Sequence, residues 1–200
     1  MRKVFIEGSD HLLHKMFQDE GYQVVGSLIG ADLLCVEGGA DVTPELYGEA
    51  NEGLSGNDEN KDVVTFGLMA MAEIMGVPIV GICRGSQALC VHEGGKLNQH
   101  INGHGRSHNV VYGDRIIPVS STHHQEAQPL STYMKADVLN VWYAEDGVVE
   151  VTEYGSNNLG CQFHPEYFSK GHPCWDFFFE LVDKVCFDLD IYDGEKHGYN

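Results

Sequence analysis

This sequence of 200 residues has no apolar run near the roughly 18–20 residues that a membrane-spanning helix requires. Its start is also poor in apolar residues, and the three at Val4-Phe5-Ile6 are too few for a signal peptide. Apolar residues make up 42% of the chain and charged residues 21%, which excludes disordered and fibrous classes. We therefore expect a soluble, cytoplasmic protein that does not bind membranes.

Basic side chains are also scarce. Twelve Lys and Arg stand against 30 Asp and Glu, which gives a formal net charge of −18. Such a charge repels phosphate backbones and anionic lipid surfaces, so we expect no nucleic-acid partner. We interpret most of this negative charge as a solvated surface. The charge also favours binding of a cationic or zwitterionic ligand over a polyanion.

Cysteine pairs of the Cys-x-x-Cys type are absent, although six cysteines could form three disulfides. A chain of this size in the cytoplasm is expected to keep its thiols reduced. Five cysteines have apolar neighbours and are predicted to lie in the core, namely Cys35, Cys90, Cys161, Cys174 and Cys186. Cys83 instead lies between Gly81 and Gly85 and is followed by the charged Arg84.

Short apolar strands alternate with helices in the first half of the chain, a pattern typical of a parallel α/β sheet. Strands are predicted at residues 2–6, 22–27, 32–36 and 77–82, and helices at 11–21 and 61–75. The apolar side of the second helix is predicted to be Val63, Val64, Leu68, Met71, Ala72 and Met75.

The second half changes character at Val138, where strands with hairpin spacing run to Gln162. An aromatic-rich helix is predicted at residues 173–189, and its three consecutive phenylalanines predict packing on more than one side. No repeat or linker separates these parts, so we predict one domain over residues 1–200.

Residues 77–90 carry the strongest functional signal, a strand that leads through Gly-x-Cys-x-Gly into a helix. This pattern is typical of a nucleophile elbow, in which Gly81 and Gly85 make room for a sharp turn that lifts Cys83 out of the sheet. The helix dipole there favours a thiolate. The amide of Arg84 would face a developing oxyanion, and its side chain is expected to be exposed. A buried cysteine between packing glycines is the alternative.

A thiol nucleophile needs a base, and the base needs a group that orients it. His164 and Glu166 could serve these roles, because they follow a predicted strand and are separated by the stiff Pro165. Triads are defined by geometry and not by chain order, so the order Cys, His, Glu is allowed. Gly38-Gly39 follows the third strand, where open sheets bind ligands, and could supply a second oxyanion donor.

Five segments together resemble the class I glutamine amidotransferase family, and in particular its γ-glutamyl hydrolase branch, the peptidase C26 group that includes γ-glutamyl-GABA hydrolase. In family order, the segments are residues 37–49, 81–87, 94–101, 121–125 and 162–166. The sequence departs from the family at Cys90 and Ser120, where members commonly carry Asn.

The resemblance implies a flavodoxin-like, doubly wound and mostly parallel sheet with helices on both faces and a C-terminal antiparallel strand group. It implies a Cys83–His164–Glu166 triad that hydrolyses γ-glutamyl amines or glutamine through a thioester, with the backbone of Gly39 and Arg84 as the oxyanion hole. No metal or organic cofactor is expected. The residues that would hold the γ-glutamyl group are Gln87, Ser121, His123 and His124.

Other functions stay open. The chain could be a glutaminase subunit that delivers ammonia to a separate synthetase or ligase, and a homodimer is also compatible with the sequence. A catalytically silent binding protein on the same fold is disfavoured, because all three triad positions hold competent residue types. A redox or stress protein with an elbow cysteine would not require His164 and Glu166.

Histidines are concentrated in one region and raise the question of a zinc site. The region holds His100, His104, His108, His123 and His124. The first three would align on a helix, but Gly103 and Gly105 disfavour a helix there. No acid or thiol completes a clear ligand set, so we predict no metal site. Asp41 is predicted to brace the Gly38-Gly39 loop.

Overall fold

A computed structural model describes residues 1–53, 56–129 and 134–188 of the protein. The helices are α1 His11–Asp19, α2 Glu59–Met75, α3 Arg84–His92 and α4 Pro173–Leu181. The strands are β1 Lys3–Glu7, β2 Gln23–Val25, β3 Leu33–Val36, β4 Ile79–Ile82, β5 Lys96–Asn98, β6 His108–Tyr112, β7 Arg115–Val119, β8 Glu126–Gln128, β9 Val138–Ala144, β10 Val149–Tyr154 and β11 Asn158–Cys161.

Nine of these strands form one sheet in the order β2-β1-β3-β4-β11-β10-β9-β6-β7, while β5 pairs with β8. The first five strands in this order, from β2 at the edge to β11, run parallel to one another. From β11 onward each pair is antiparallel. The predicted α/β sheet is therefore confirmed, and its antiparallel group also takes in β6 and β7 from the middle of the chain.

Helices cover both faces of the parallel strands, because consecutive strand residues point to opposite sides. On one face Cys35 and Val80 pack with the aromatic side chains of α1 and α4. On the other face Leu34 and Ile79 pack with α2 and α3. All three consecutive phenylalanines of α4 are buried, as predicted, and so are the five cysteines expected in the core.

Helix α2 turns a different side to the sheet than its apolar residues predict. Four residues predicted to be buried are exposed, namely Val63, Val64, Met71 and Met75. The buried side consists of Asp62, Thr65, Met69 and Ala72. The prediction was wrong because Asp62 and Thr65 have a buried polar partner on α3, described below, and this contact sets the rotation of the helix.

The closing helix is shorter than predicted. Helix α4 ends at Leu181 and continues as a π-helical turn over Val182–Cys186. The predicted end at residue 189 lies outside the described residues. In the part of the chain that the structure covers, no helix has both the length and the apolar character needed to cross a membrane.

Candidate active site

Cys83 lies at the sharp turn between β4 and α3. Its backbone has φ +54° and ψ −111°, a conformation that residues with a side chain rarely adopt. Two glycines make the turn possible: a Cβ at Gly81 would lie 2.3 Å from the Gly85 carbonyl oxygen, and one at Gly85 would lie 2.2 Å from the Val36 carbonyl oxygen. The turn therefore has the strand–cysteine–helix form of a nucleophile elbow.

His164 follows β11, the strand next to β4, and lies beside both Cys83 and Glu166. Its Nδ1 is 2.5 Å from Glu166 Oε1. Burial lowers the pKa of His164, but hydrogen bonds with Cys83 and Glu166 outweigh this effect and raise the pKa to about 10. A Cβ at Gly38 would lie 3.2 Å from His164 Cε1 and 3.6 Å from Cys83 Cβ, so both side chains border that glycine.

Two further residues hold His164, and neither was predicted for this role from the sequence. The Ser120 hydroxyl donates to the His164 carbonyl at 2.8 Å and accepts from the His164 amide at 3.1 Å. The Tyr167 ring stacks on the imidazole with a centroid separation of 4.7 Å and an interplanar angle of 5°. The sequence signal available for the Ser120 contacts was that this position departs from the Asn that is common in the family.

The two predicted oxyanion donors lie after neighbouring strands. Arg84 is the first residue of α3, where backbone amides have no partner within the helix. Gly39 follows β3 with φ +146°, and a Cβ there would lie 2.8 Å from Lys61 Nζ. Lys61 donates to the Gly38 carbonyl at 2.9 Å and to Glu37 Oε1 at 3.1 Å, and so holds this loop against α2.

The Arg84 side chain is buried, which contradicts the expectation of an exposed guanidinium. Its Nη2 donates to Asp62 Oδ1 at 2.5 Å and its Nη1 to Thr65 Oγ1 at 2.8 Å. Thr65 in turn donates to Glu7 Oε1 at 3.1 Å. The side chain points inward because α2 presents this polar pair, and the network joins the elbow to α2 and β1.

Two of the predicted substrate-binding residues lie close to this region. The Gln87 amide is buried one helical turn after Cys83 and donates to Gln162 Oε1 at 3.1 Å. His124 remains partly exposed, and its Nε2 lies 3.2 Å from Asp41 Oδ2. Asp41 also accepts a hydrogen bond from the Gly56 amide at 2.9 Å, so it braces the loop that follows β3.

The other two predicted substrate-binding residues face a separate buried cluster. The Ser121 hydroxyl donates to the His104 carbonyl oxygen. His123 is 5% exposed and directs its Nε2 towards Glu150 Oε1, 3.3 Å away. Both side chains therefore have partners in this cluster, and their role in holding the substrate stays a prediction.

This cluster brings three of the histidines from that region together with an acid that was not predicted from the sequence. One nitrogen each from His104, His108 and His123 and a carboxylate oxygen of Glu150 all lie within 4.8 Å of one another. Glu150 raises the pKa of His104 to about 8, against the opposing effect of burial. Burial raises the pKa of Glu150, but the three imidazoles lower it by more. Glu150 was not predicted to join the histidines because it lies on β10, far from them in sequence.

Comparison with known proteins identifies the family. Residues 16–115 match the Peptidase C26 family. A glutamine amidotransferase-like protein of Lactococcus lactis is 30% identical over 186 residues, which cover 76% of this chain and 77% of the relative. The chain belongs to the peptidase C26 family. This assignment confirms the resemblance inferred from the five sequence segments, and the family supports a glutamine amidotransferase or C26 hydrolase activity.

Other similar proteins differ in their length and in the function that their names give. A protein of Mycobacterium tuberculosis named as a glutamine amidotransferase is 30% identical over 66% of this chain, which spans only 50% of that protein. The γ-glutamyl-γ-aminobutyrate hydrolase of Escherichia coli O157:H7 is 27% identical over 74% of this chain and 68% of its own length. The crystal structure of a Thermoplasma acidophilum protein described as part of a GMP synthase has the same fold, with a TM-score of 0.69, 19% identity and coverage of 94% of this chain and 95% of that protein.

Proposed function

We propose that this C26 protein is a cysteine-dependent hydrolase of γ-glutamyl amide bonds, with Cys83 as nucleophile, His164 as general acid and base, and Glu166 as the group that orients His164. The observation that carries the proposal is the position of His164. It lies beside Cys83 with its Nδ1 2.5 Å from Glu166 Oε1, and both partners raise the pKa of the imidazole, which favours transfer of the Cys83 proton to His164.

The reaction would proceed in two acyl-transfer steps. The Cys83 sulfur, as a thiolate whose proton has passed to His164, attacks the γ-carbonyl carbon, and the amides of Gly39 and Arg84 stabilise the oxyanion. The C–N bond breaks as His164 gives its proton to the departing amine, which leaves a γ-glutamyl thioester. A water molecule, deprotonated by His164, then attacks the thioester, the C–S bond breaks, and glutamate leaves. Of the four residues predicted to hold the γ-glutamyl group, Gln87 and His124 are the two whose contacts lie outside the histidine cluster.

The test is a product screen by mass spectrometry with the purified full chain and a panel of γ-glutamyl amines, including glutamine. We expect Cys83→Ser to reduce turnover by at least about 10³-fold. Cys90→Ser is the matched control, since it makes the same change further along α3, where the Lys96 carbonyl lies 3.6 Å from the sulfur and can accept from the new hydroxyl. A Cys83→Ser protein that retains most of its rate would exclude this mechanism.

A second candidate is a glutaminase subunit that acts with a synthetase or ligase. Helix α2 favours it, because Val63 is 76% exposed and Ile74 86% exposed on a helix whose first turns adjoin the Gly38 loop. Val64, Met71 and Met75 are exposed on the same helix, and a contiguous apolar patch of this kind is typical of protein–protein contacts. In the same screen, activity of the chain alone supports the free hydrolase, whereas glutaminase activity that appears only with a partner supports the second candidate.

A further inference from the structure

The cluster of His104, His108, His123 and Glu150 is the group of buried titratable side chains that the proposed reaction does not use. His104, His123 and Glu150 are at most 5% exposed, and His108 is the partly exposed member. Glu150 Oε1 lies 2.8 Å from His108 Nε2, 3.3 Å from His104 Nδ1 and 3.3 Å from His123 Nε2. Within the described chain, none of these four atoms has a hydrogen-bond partner outside the cluster.

The outer contacts of two histidines determine which ring nitrogen carries the proton. His123 Nδ1 is 2.9 Å from the Gln125 carbonyl oxygen, which can only accept, so this nitrogen is the donor. His104 Nε2 is 3.0 Å from Asp146 Oδ2, and the carboxylate likewise accepts. In the neutral imidazoles the inner nitrogens therefore direct lone pairs at an ionised carboxylate.

Lone pairs that face one another in a buried site need a proton or a metal ion between them. Extra protons on His104 and His123 would place two imidazolium rings side by side, with centroids 4.8 Å apart. A single divalent ion satisfies the four inner atoms without that repulsion. Outer acceptors that fix the ring tautomer are a regular feature of histidine ligands to metals.

We propose that His104, His108, His123 and Glu150 bind a zinc-type divalent ion. Tetrahedral zinc with bonds of about 2.1 Å holds its ligand atoms roughly 3.4 Å apart. Here the three nitrogens lie 2.8–3.3 Å from Glu150 Oε1, and all four atoms lie within 4.8 Å of one another. Three imidazoles and one carboxylate complete four coordination with protein atoms alone, as in structural zinc sites. This inference is independent of the proposed amide hydrolysis.

The ion would join parts of the chain that are far apart in sequence. His108 and Glu150 lie on β6 and β10, while His104 and His123 lie on two loops. The second loop continues to His124, which contacts Asp41. The ion would therefore stabilise the loops next to the elbow and take no part in the reaction.

Metal binding is best measured on the full chain with the Cys83→Ser substitution and no polyhistidine tag, so that neither the elbow thiol nor the tag can hold the ion. Metal-free protein is titrated with Zn²⁺ against a chromophoric chelator, and bound zinc is counted by mass spectrometry. Co²⁺ is bound in a parallel sample. We expect one ion per chain and the visible absorption of four-coordinate Co²⁺, without the near-ultraviolet band of a thiolate ligand.

Variants then assign the ion to its ligands. His108→Gln and Glu150→Gln should abolish binding, and His11→Gln, at an exposed histidine of α1, should leave it unchanged. Asp146→Asn should weaken binding by about 10–100-fold, because it removes the charged acceptor of His104. Since Asp146 is exposed, this variant decides the matter if the ligand variants do not fold.

Other outcomes would overturn the proposal. A folded protein that binds no Zn²⁺ would mean that protons alone occupy the cluster. Zinc binding that is equal in Glu150→Gln, Asp146→Asn and His11→Gln would place the ion elsewhere. These readouts do not use turnover, so an inactive protein that binds zinc would contradict the proposed hydrolysis and leave the metal site in place.

Discussion

At the scale of single residues, Cys83 combines a reactive side chain with an unfavourable backbone. Its φ of +54° and ψ of −111° cost a residue with a Cβ on the order of 1–3 kcal/mol, whereas glycine adopts such angles more freely. We expect Cys83→Gly to have a free energy of unfolding about 1 kcal/mol higher than that of Cys83→Ala, measured by urea denaturation.

The control for this comparison is the same Gly/Ala pair at Ala70, an exposed position within α2. There, Ala70→Gly should lower the free energy of unfolding by about 0.5–1 kcal/mol relative to alanine. If alanine is favoured over glycine at position 83 as well, the turn holds no strain.

The protonation of His164 predicts the alkaline limit of activity. Its pKa is raised to about 10, so the imidazolium that protonates the leaving amine is present at neutral pH and is lost as the pH rises through that value. In Glu166→Gln one of the two groups that raise this pKa loses its charge. The alkaline limb of kcat/KM should therefore move to lower pH, and an unmoved limb would show that Glu166 does not control His164.

At the scale of elements, the glycines of the elbow are required by close backbone contact. A Cβ at Gly81 would lie 2.3 Å from the Gly85 carbonyl oxygen, so Gly81→Ala should lower the free energy of unfolding by at least about 2 kcal/mol. In α2, by contrast, a Cβ at Gly67 meets no atom of the described chain within 4 Å. Gly67→Ala should raise stability by about 0.5–1 kcal/mol. Thermal and urea unfolding of the two variants test this pair, and equal effects would contradict it.

The elements show which parts of the molecule the sequence could predict. Strand runs and the Gly-x-Cys-x-Gly motif are local patterns. From them β3 and β4 were predicted close to their observed bounds, and a helix was predicted after the elbow, where α3 lies. The buried side of α2 was not, because Asp62 and Thr65 are buried by a partner on α3 and not by their own hydropathy.

The same reasoning explains what was missed in the sites. Glu150 joins His104, His108 and His123 only when β10 and β6 enter one sheet with β9 between them. The pairing of His164 with Glu166, two residues away, lies within one turn and was accessible from the sequence.

At the scale of the whole molecule, the net charge of −18 should lower kcat/KM for anionic substrates relative to substrates without net charge. A poly-γ-glutamate tail is a polyanion and is repelled, whereas a γ-glutamyl amine without net charge is not. Raising the ionic strength from about 0.01 M to about 0.15 M shortens the screening length from about 30 Å to about 8 Å. We expect kcat/KM for the polyanion to rise with salt, with glutamine as the unaffected control. Parallel salt profiles for both substrates would contradict this prediction.

The parallel pairing of β4 with β11 allows other parts of the sequence to change in length during evolution. Cys83 and His164 leave adjacent strands at the same edge, and the Cys83 amide donates to the Cys161 carbonyl at 2.8 Å. The spacing between nucleophile and base thus depends on this backbone ladder and not on the length of the polypeptide between α3 and β10. Insertions in that intervening stretch can reshape the mouth of the cleft, and with it the range of accepted amines, while the reacting atoms keep their positions.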